Sequence, residues 1–201
     1  FLQEMYGDVP GEEALLASLK AIADKAKVSF VETFLNDYGY LFDYVNGSYT
    51  DLSVRPNMVI AVGIDYSPLD RRQRKQVLDV ITRELLTPKG LRTLSPKSYG
   101  YNPWYLGNPE QREQAYYTGS ARPWLMGFYG HAYIKVFGMG GLSFVERMMI
   151  GFEDEMAQGT IGTLSELYDG NPPFTGRGAI SLAANVGEIL RILRLLKNLD
   201  V

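Results

Sequence analysis

Residues 67–85, SPLDRRQRKQVLDVITREL, form the stretch that decides the fold class. Ser67 is typical of a helix N-cap, Pro68 suits the first helical position, and Asp70 completes a Ser-x-x-Asp start. Apolar residues then recur at helical spacing, at Leu69, Val77, Val80, Ile81 and Leu85. The stretch therefore predicts an amphipathic helix that begins at Ser67.

The flanking sequence predicts further helices and no clear strand. Val54–Ile64 fits either a buried strand or a buried helix. The C-terminal segment Gly178–Asn198 is apolar nearly all round, which is typical of a helix buried on more than one side. A Ser143-x-x-Glu146 capping box predicts another helix start. Helices are expected at Pro10–Lys27, Pro123–Val136, Ser143–Met156 and Gly178–Asn198, so the sequence predicts an all-α fold.

Composition excludes several classes of protein. The 201 residues suit one domain, and the formal net charge of −3 argues against binding nucleic acid through its phosphates. Zero cysteines and the single His131 argue against a metal site, so no metal or cofactor is expected. No stretch has the roughly 18–20 apolar residues that cross a membrane. With no cysteine and no visible leader, we expect a cytoplasmic protein without a membrane partner.

Two long segments without helical period are the candidates for function. Thr87–Arg122 is rich in aromatic residues, whose flat faces suit the apolar patches of sugar rings, although the same rings could simply pack the loop onto helix ends. Ala157–Gly176 carries Glu166 and Asp169 between glycines and prolines. These two carboxylates could be a general acid/base pair, a metal pair or surface charge. The aromatic residues of the first segment are Tyr99, Tyr101, Trp104, Tyr105, Tyr116 and Tyr117.

Five motifs, in order, resemble those of the glycogen debranching enzyme family, in its amylo-α-1,6-glucosidase domain. The similarity runs from about Phe30 to the C-terminus. The motifs are GYLFD at 39–43, VRPN at 54–57, LLTPKGLRTLSP at 85–96, REQAY at 112–116 with Gly119 and Pro123-Trp124-Leu125, and GTLSELYDGNPP at 162–173.

The resemblance implies a fold and a reaction. The fold would be the C-terminal half of an (α/α)6 toroid of six helical hairpins, so residues 1–201 would be a single partial domain whose partner is the missing N-terminal part of the same protein. The reaction would be hydrolysis of α-1,6-glucosidic branch points by an inverting pair of carboxyl groups. Glu166 matches the general base, and the matching acid is an Asp upstream of residue 1.

The same resemblance suggests residues that contact an α-glucan substrate. Arg55, Asn57, Arg92 and Asp169 lie in matched motifs, and Tyr117 directly follows one. Two alternatives stay open: the arginines could pair with loop carboxylates, and Asp169 could brace the loop of Glu166.

The chain also departs from the family pattern. The differences remove an imidazole, planar amides and indoles, so we expect a reshaped binding subsite. A non-catalytic α-glucan-binding module that keeps the fold is therefore the alternative to a glycoside hydrolase. The departures lie at Tyr117, Thr118, Arg122, Leu182 and Ala184.

Overall fold

The computed structural model describes residues 1–7, 11–158 and 161–199. It is helix-rich, with 54% of the residues in helices, and it also contains small sheets. The helices are α1 (Leu2–Tyr6), α2 (Glu13–Phe34), α3 (Met58–Gly63), α4 (Arg71–Glu84), α5 (Pro109–Thr118), α6 (Leu125–Phe137), α7 (Leu142–Ile150), α8 (Glu153–Gln158) and α9 (Ala183–Leu199), with a short 3-10 turn at Gly138–Gly141.

Helix α4 confirms the helix expected over 67–85 but corrects its start. The cap is Asp70, whose carboxylate accepts the Gln73 N–H at 2.8 Å while the Gln73 amide accepts the Asp70 N–H at 2.9 Å. Ser67 instead accepts the Leu69 N–H, which turns the chain ahead of the helix. The carboxylate has the advantage because a charged acceptor makes the stronger hydrogen bond to a helix N-terminus.

Helix α6 lies at the centre of the core and contacts α3, α4, α7 and α9. Tyr129 of α6 is fully buried, and its hydroxyl lies 2.8 Å from Oγ1 of Thr82 on α4. Within the segment Val54–Ile64, residues Met58–Gly63 form helix α3, so the helical alternative is confirmed there. Val59 and Val62 of α3 are completely buried. The apolar period of these helices is therefore explained by a shared core.

Three other helix predictions need correction. The Ser143 capping box does not form: α7 begins at Leu142 without a side-chain cap, and the predicted helix is broken before Glu153. Helix α9 begins at Ala183 rather than Gly178 and is buried along one face only, with Leu190 and Leu193 exposed. Helix α2 runs from Glu13 to Phe34 with no fully buried residue, and the predicted start at Pro10 lies outside the described residues.

Strands also appear where the sequence predicts none. Five short antiparallel strands form one sheet in the order β3-β4-β5-β6-β7, and a separate hairpin pairs β1 with β2. The sheet draws together segments that are far apart in the sequence. The strands are β1 (Val45–Asn46), β2 (Tyr49–Thr50), β3 (Leu86–Thr87), β4 (Gly90–Arg92), β5 (Ala121–Arg122), β6 (Leu167–Tyr168) and β7 (Gly176–Arg177).

Helix α5 interrupts the segment Thr87–Arg122, which the sequence predicts to be non-helical throughout. Its cap is Asn108, whose side chain accepts the Gln111 N–H at 2.9 Å, and Pro109 occupies the first helical position. Ala115 is the only residue of α5 that is fully buried. Such a helix has no apolar face for a periodicity analysis to find.

Candidate active site

Glu166 lies directly before β6, where the backbone of the β7–α9 connection holds it in place. The Glu166 N–H donates to the Ala179 carbonyl at 2.9 Å, and the Ala179 N–H donates back to Oε2 of Glu166 at 2.9 Å. The buried amide of Asn185, on α9, donates to the carbonyls of Ser165 at 2.7 Å and Glu166 at 3.0 Å. Its oxygen accepts the Trp124 N–H at 3.1 Å. The Asn185 side chain therefore connects the loop of Glu166 to α9 and to the start of α6.

The other carboxylate oxygen of Glu166 contacts an aromatic and a basic side chain. The Tyr116 hydroxyl donates to Oε1 at 2.8 Å, and Nη1 of Arg122 lies 3.9 Å from the same oxygen. Burial raises the pKa of Glu166, but the hydrogen bonds from Ala179 and Tyr116 and the charge of Arg122 outweigh burial and lower that pKa below its ordinary value. Glu166 is therefore an ionised carboxylate at neutral pH, with a side chain that is 20% exposed.

Arg122 is a part of this site that sequence reasoning did not find. Its guanidinium carbon lies 3.3 Å from the centroid of the Tyr116 ring, and Nη2 donates to the Tyr116 carbonyl at 3.1 Å. The sequence marks Arg122 only as a departure from the family pattern. No local signal connects it to Glu166, because the contact arises from strands β5 and β6 pairing in the sheet.

A cavity of about 290 Å³ opens beside Tyr116. Tyr117, which is 59% exposed, meets Tyr116 edge-on with ring centroids 5.0 Å apart. On the other side the centroids of Tyr105 and Tyr116 are 6.1 Å apart. The cavity is lined by Tyr105, Pro109, Arg112, Glu113, Tyr116 and Tyr117. The cavity is therefore largely aromatic, and Tyr116 in its wall is the residue whose hydroxyl donates to Glu166.

Arg55 and Asn57 both contact Asp43, and Arg55 connects them to the aromatic cavity. The Arg55 Nη1 donates to the Tyr117 carbonyl at 2.8 Å, and its Nε lies 3.7 Å from Oδ2 of Asp43. The Asn57 amide donates to the other oxygen of Asp43 at 2.8 Å. Arg55, Asn57 and Asp43 line a second cavity of about 300 Å³.

Arg92 and Asp169 each make hydrogen bonds that hold the turn after β6. Nε of Arg92 donates to the Gly170 carbonyl at 2.8 Å. Asp169 has no exposed surface: Oδ1 accepts the Tyr105 N–H at 2.9 Å, and Oδ2 accepts Nε and Nη2 of Arg177 at 3.0 and 2.9 Å. Arg177 is a second residue that sequence reasoning missed. Asp169 and Arg177 together fix the loop that follows Glu166.

Another cavity, of about 550 Å³, borders the β7–α9 connection that holds Glu166. Lys89 and Glu155 form an ion pair of 3.2 Å in its wall. Phe174, another lining residue, has a φ of 58°, a backbone conformation that residues other than glycine rarely adopt. Across residues 1–7, 11–158 and 161–199, no group of three or more His, Asp or Glu side chains could hold a metal ion.

Comparison with known proteins identifies the family. A family model described as amylo-alpha-1,6-glucosidase matches residues 10–191, so the chain belongs to that family. No curated protein matches the chain. Within the part of the chain that the structure describes, no helix has the length and apolar character needed to cross a membrane.

Proposed function

We propose that this member of the amylo-α-1,6-glucosidase family is part of a glycoside hydrolase that cleaves α-1,6 branch points of glycogen or a related α-glucan with inversion. The observation that carries the proposal is the carboxylate of Glu166. It is ionised, partly exposed and held by two hydrogen bonds beside an aromatic cavity. An ionised carboxylate that is partly exposed can accept a proton from a water molecule, which is the role of a general base.

In the proposed step, Glu166 removes a proton from a water molecule as the water oxygen attacks C1 of the terminal glucose. The bond between C1 and the O6 of the branched glucose breaks, and that oxygen takes a proton from a general acid. Inverting enzymes place the two carboxyl groups about 6.5–9.5 Å apart, which leaves room for the water. Cleavage therefore yields free glucose with the opposite anomeric configuration.

We assign the general acid to a part of the protein that precedes this chain. Residues 1–201 would then form the C-terminal half of an (α/α)6 toroid and depend on that preceding part for activity. General acid assistance contributes about 10²- to 10⁴-fold to such rates, so the 201-residue chain alone should not hydrolyse α-1,6 bonds measurably.

We propose that Arg55, Asn57, Arg92 and Tyr117 contribute to binding the α-glucan. Tyr117 has the exposed aromatic face that a sugar ring needs, and Arg55 lies against its backbone. We assign Asp169 to positioning Glu166, because its carboxylate is buried and its partners are Tyr105 and Arg177. We propose that the reaction takes place in the cytoplasm, because a chain without cysteine suits a reducing compartment.

The test is Glu166→Gln in the protein that contains this chain and the rest of its domain. Glutamine keeps the size of the side chain but cannot accept the proton, so kcat on a branched isomaltosyl substrate should fall about 10²- to 10⁴-fold with little change in KM. Glu32→Gln, on the exposed side of α2, is the matched control and should leave both constants unchanged.

Two results would contradict the proposal. Near wild-type kcat in Glu166→Gln would mean that the base lies elsewhere. A wild-type protein that binds α-glucan and never hydrolyses it would support the non-catalytic binding module instead.

A further inference from the structure

A second surface with the chemistry of a sugar site lies at the end of α4. It surrounds a cavity of about 500 Å³, and we call it the Tyr38 surface, defined by Tyr38, Tyr40, Arg83, Glu84 and Lys97. None of these residues contributes to the environment of Glu166 described above. We propose that the Tyr38 surface binds a linear segment of α-glucan, separately from the site at Glu166.

The two tyrosine rings of this surface are held in a fixed arrangement. Tyr38 is 74% exposed, and its ring stacks with that of Tyr40 at a centroid distance of 6.3 Å. The Asn36 side-chain oxygen accepts the N–H groups of Tyr38 at 2.9 Å and Tyr40 at 3.3 Å. Gly39, between them, has a φ of 81°, which is easy only for glycine. The backbone that carries the two rings is therefore held in place by local hydrogen bonds, and a preorganised backbone lowers the entropy cost of binding.

Charged groups also line this cavity. Glu84 is almost buried and accepts hydrogen bonds from Ser95 at 3.0 Å, Arg83 at 3.1 Å and Lys97 at 2.7 Å. Arg83 and Lys97 themselves remain mostly exposed, with side chains 62% and 75% accessible. Their remaining N–H groups can donate to hydroxyl oxygens of a bound ligand.

This combination fits a sugar better than a purely apolar or purely charged ligand. A glucose ring presents C–H groups on its faces and hydroxyls around its edge, so it can stack on Tyr38 while its hydroxyls bond with Arg83 and Lys97. Ligand sites commonly pair aromatic lining with a few fixed polar groups in this way. The choice of an α-glucan rests on the function proposed above.

The Tyr38 surface is also connected to the catalytic loops through adjacent residues. The Ser95 N–H donates to the Val54 carbonyl at 3.0 Å, and Arg55, the next residue, donates to the Tyr117 carbonyl at 2.8 Å. A branched polymer carries chains on both sides of each branch point. One chain can therefore occupy the Tyr38 surface while a branch is presented to Glu166.

The test is retention of the full protein by linear amylose in native gel electrophoresis. Amylose has no α-1,6 bond, so binding is measured without the proposed reaction. Tyr38→Ala should weaken the apparent affinity at least about fivefold, which is the size expected for an aromatic anchor. Tyr38→Phe keeps the ring and should stay within about twofold of the wild type.

Tyr66→Ala is the matched control, since Tyr66 is an exposed tyrosine outside this surface. Unchanged retention of Tyr38→Ala, or equal weakening by Tyr66→Ala, would overturn the inference. The outcome is independent of catalysis: if Glu166→Gln still hydrolyses branches, the assignment of Glu166 as the base fails; if the wild-type protein never hydrolyses them, the proposed function fails; in both cases amylose retention still tests the Tyr38 surface.

Discussion

The guanidinium of Arg122 lies 3.3 Å from the centroid of the Tyr116 ring, so these two residues form a cation–π pair beside the carboxylate of Glu166. Water is largely excluded from Arg122, which is only 6% exposed. Electrostatic attraction between a cation and an aromatic face is strongest when water is excluded. Arg122 therefore positions the tyrosine that donates to Glu166 and also adds a positive charge near the same oxygen.

Replacing Arg122 should change the pH dependence of the proposed reaction. Its charge helps to lower the pKa of Glu166, so Arg122→Gln should raise that pKa. The base works only when ionised, and activity is lost as the pH falls through its pKa. The acidic limb of the kcat/KM profile should thus move to higher pH in Arg122→Gln and stay closer to wild type in Arg122→Lys, which keeps the charge. Coincident limbs in all three proteins would show that Arg122 does not influence Glu166.

Tyr116→Phe should weaken the hold on Glu166 without removing the aromatic ring. The variant loses the 2.8 Å hydrogen bond to Oε1, which we expect to lower the free energy of unfolding by about 1 kcal/mol. The pKa of Glu166 should also rise. Tyr117→Phe is the control, because the contacts of Tyr117 described above involve its ring and backbone. Denaturant unfolding of both variants measures the difference, and equal stabilities would contradict the assignment.

Gly178→Ala should disturb Glu166 directly. A Cβ at Gly178 would lie 2.5 Å from Oε2 of Glu166, and the φ of 72° adds backbone strain. Gly162→Ala isolates the strain, since Gly162 has a φ of 75° and no atom of the described residues lies within 4 Å of the added Cβ. We expect Gly162→Ala to cost about 1 kcal/mol of stability, and Gly178→Ala to cost more and to lower kcat as well. Similar effects of the two substitutions on kcat would contradict this prediction.

Asp169→Asn should destabilise the loop around Glu166. The substitution removes the charge that pairs with Arg177 in a buried position, while Arg177 itself stays partly exposed. We expect a loss of about 2 kcal/mol, less than for a fully buried pair. Asp79→Asn removes an exposed carboxylate that pairs with Lys75 and should change stability by less than about 0.5 kcal/mol. Thermal unfolding of both variants compares these losses.

Helices with an apolar face could be predicted from the sequence, and those without one could not. Val77 and Ile81 recur at helical spacing because they pack into one core, so α4 is visible in the sequence. Helix α5 has Ala115 as its only fully buried residue and leaves only its capping sequence, Asn108-Pro109 with Gln111, as a signal. The sheet strands are two or three residues long, too short for alternation to be detected.

The candidate site shows the same division. Glu166 and Asp169 could be found because they lie in one motif with glycines and prolines around them. Arg122 could not be assigned, because its contact with Glu166 depends on the pairing of β5 with β6, which are distant in the sequence. Arg177 lies only eight residues after Asp169, but their contact depends on the pairing of β6 with β7, and those two-residue strands could not be predicted. The residue that caps a helix cannot be predicted from apolar spacing alone. Asp70 caps α4, whereas Ser67, three residues earlier, accepts a hydrogen bond from Leu69 ahead of the helix.

Through Asn185, helix α9 holds the loop of Glu166 in addition to packing against the core. Its amide reaches the carbonyls of Ser165 and Glu166 and accepts the N–H of Trp124. A premature stop codon just ahead of α9 would therefore do more than expose the apolar side of α6. It would also release the segment that carries the carboxylate, so we expect a truncated gene product to lose the proposed activity even if the remaining helices still folded.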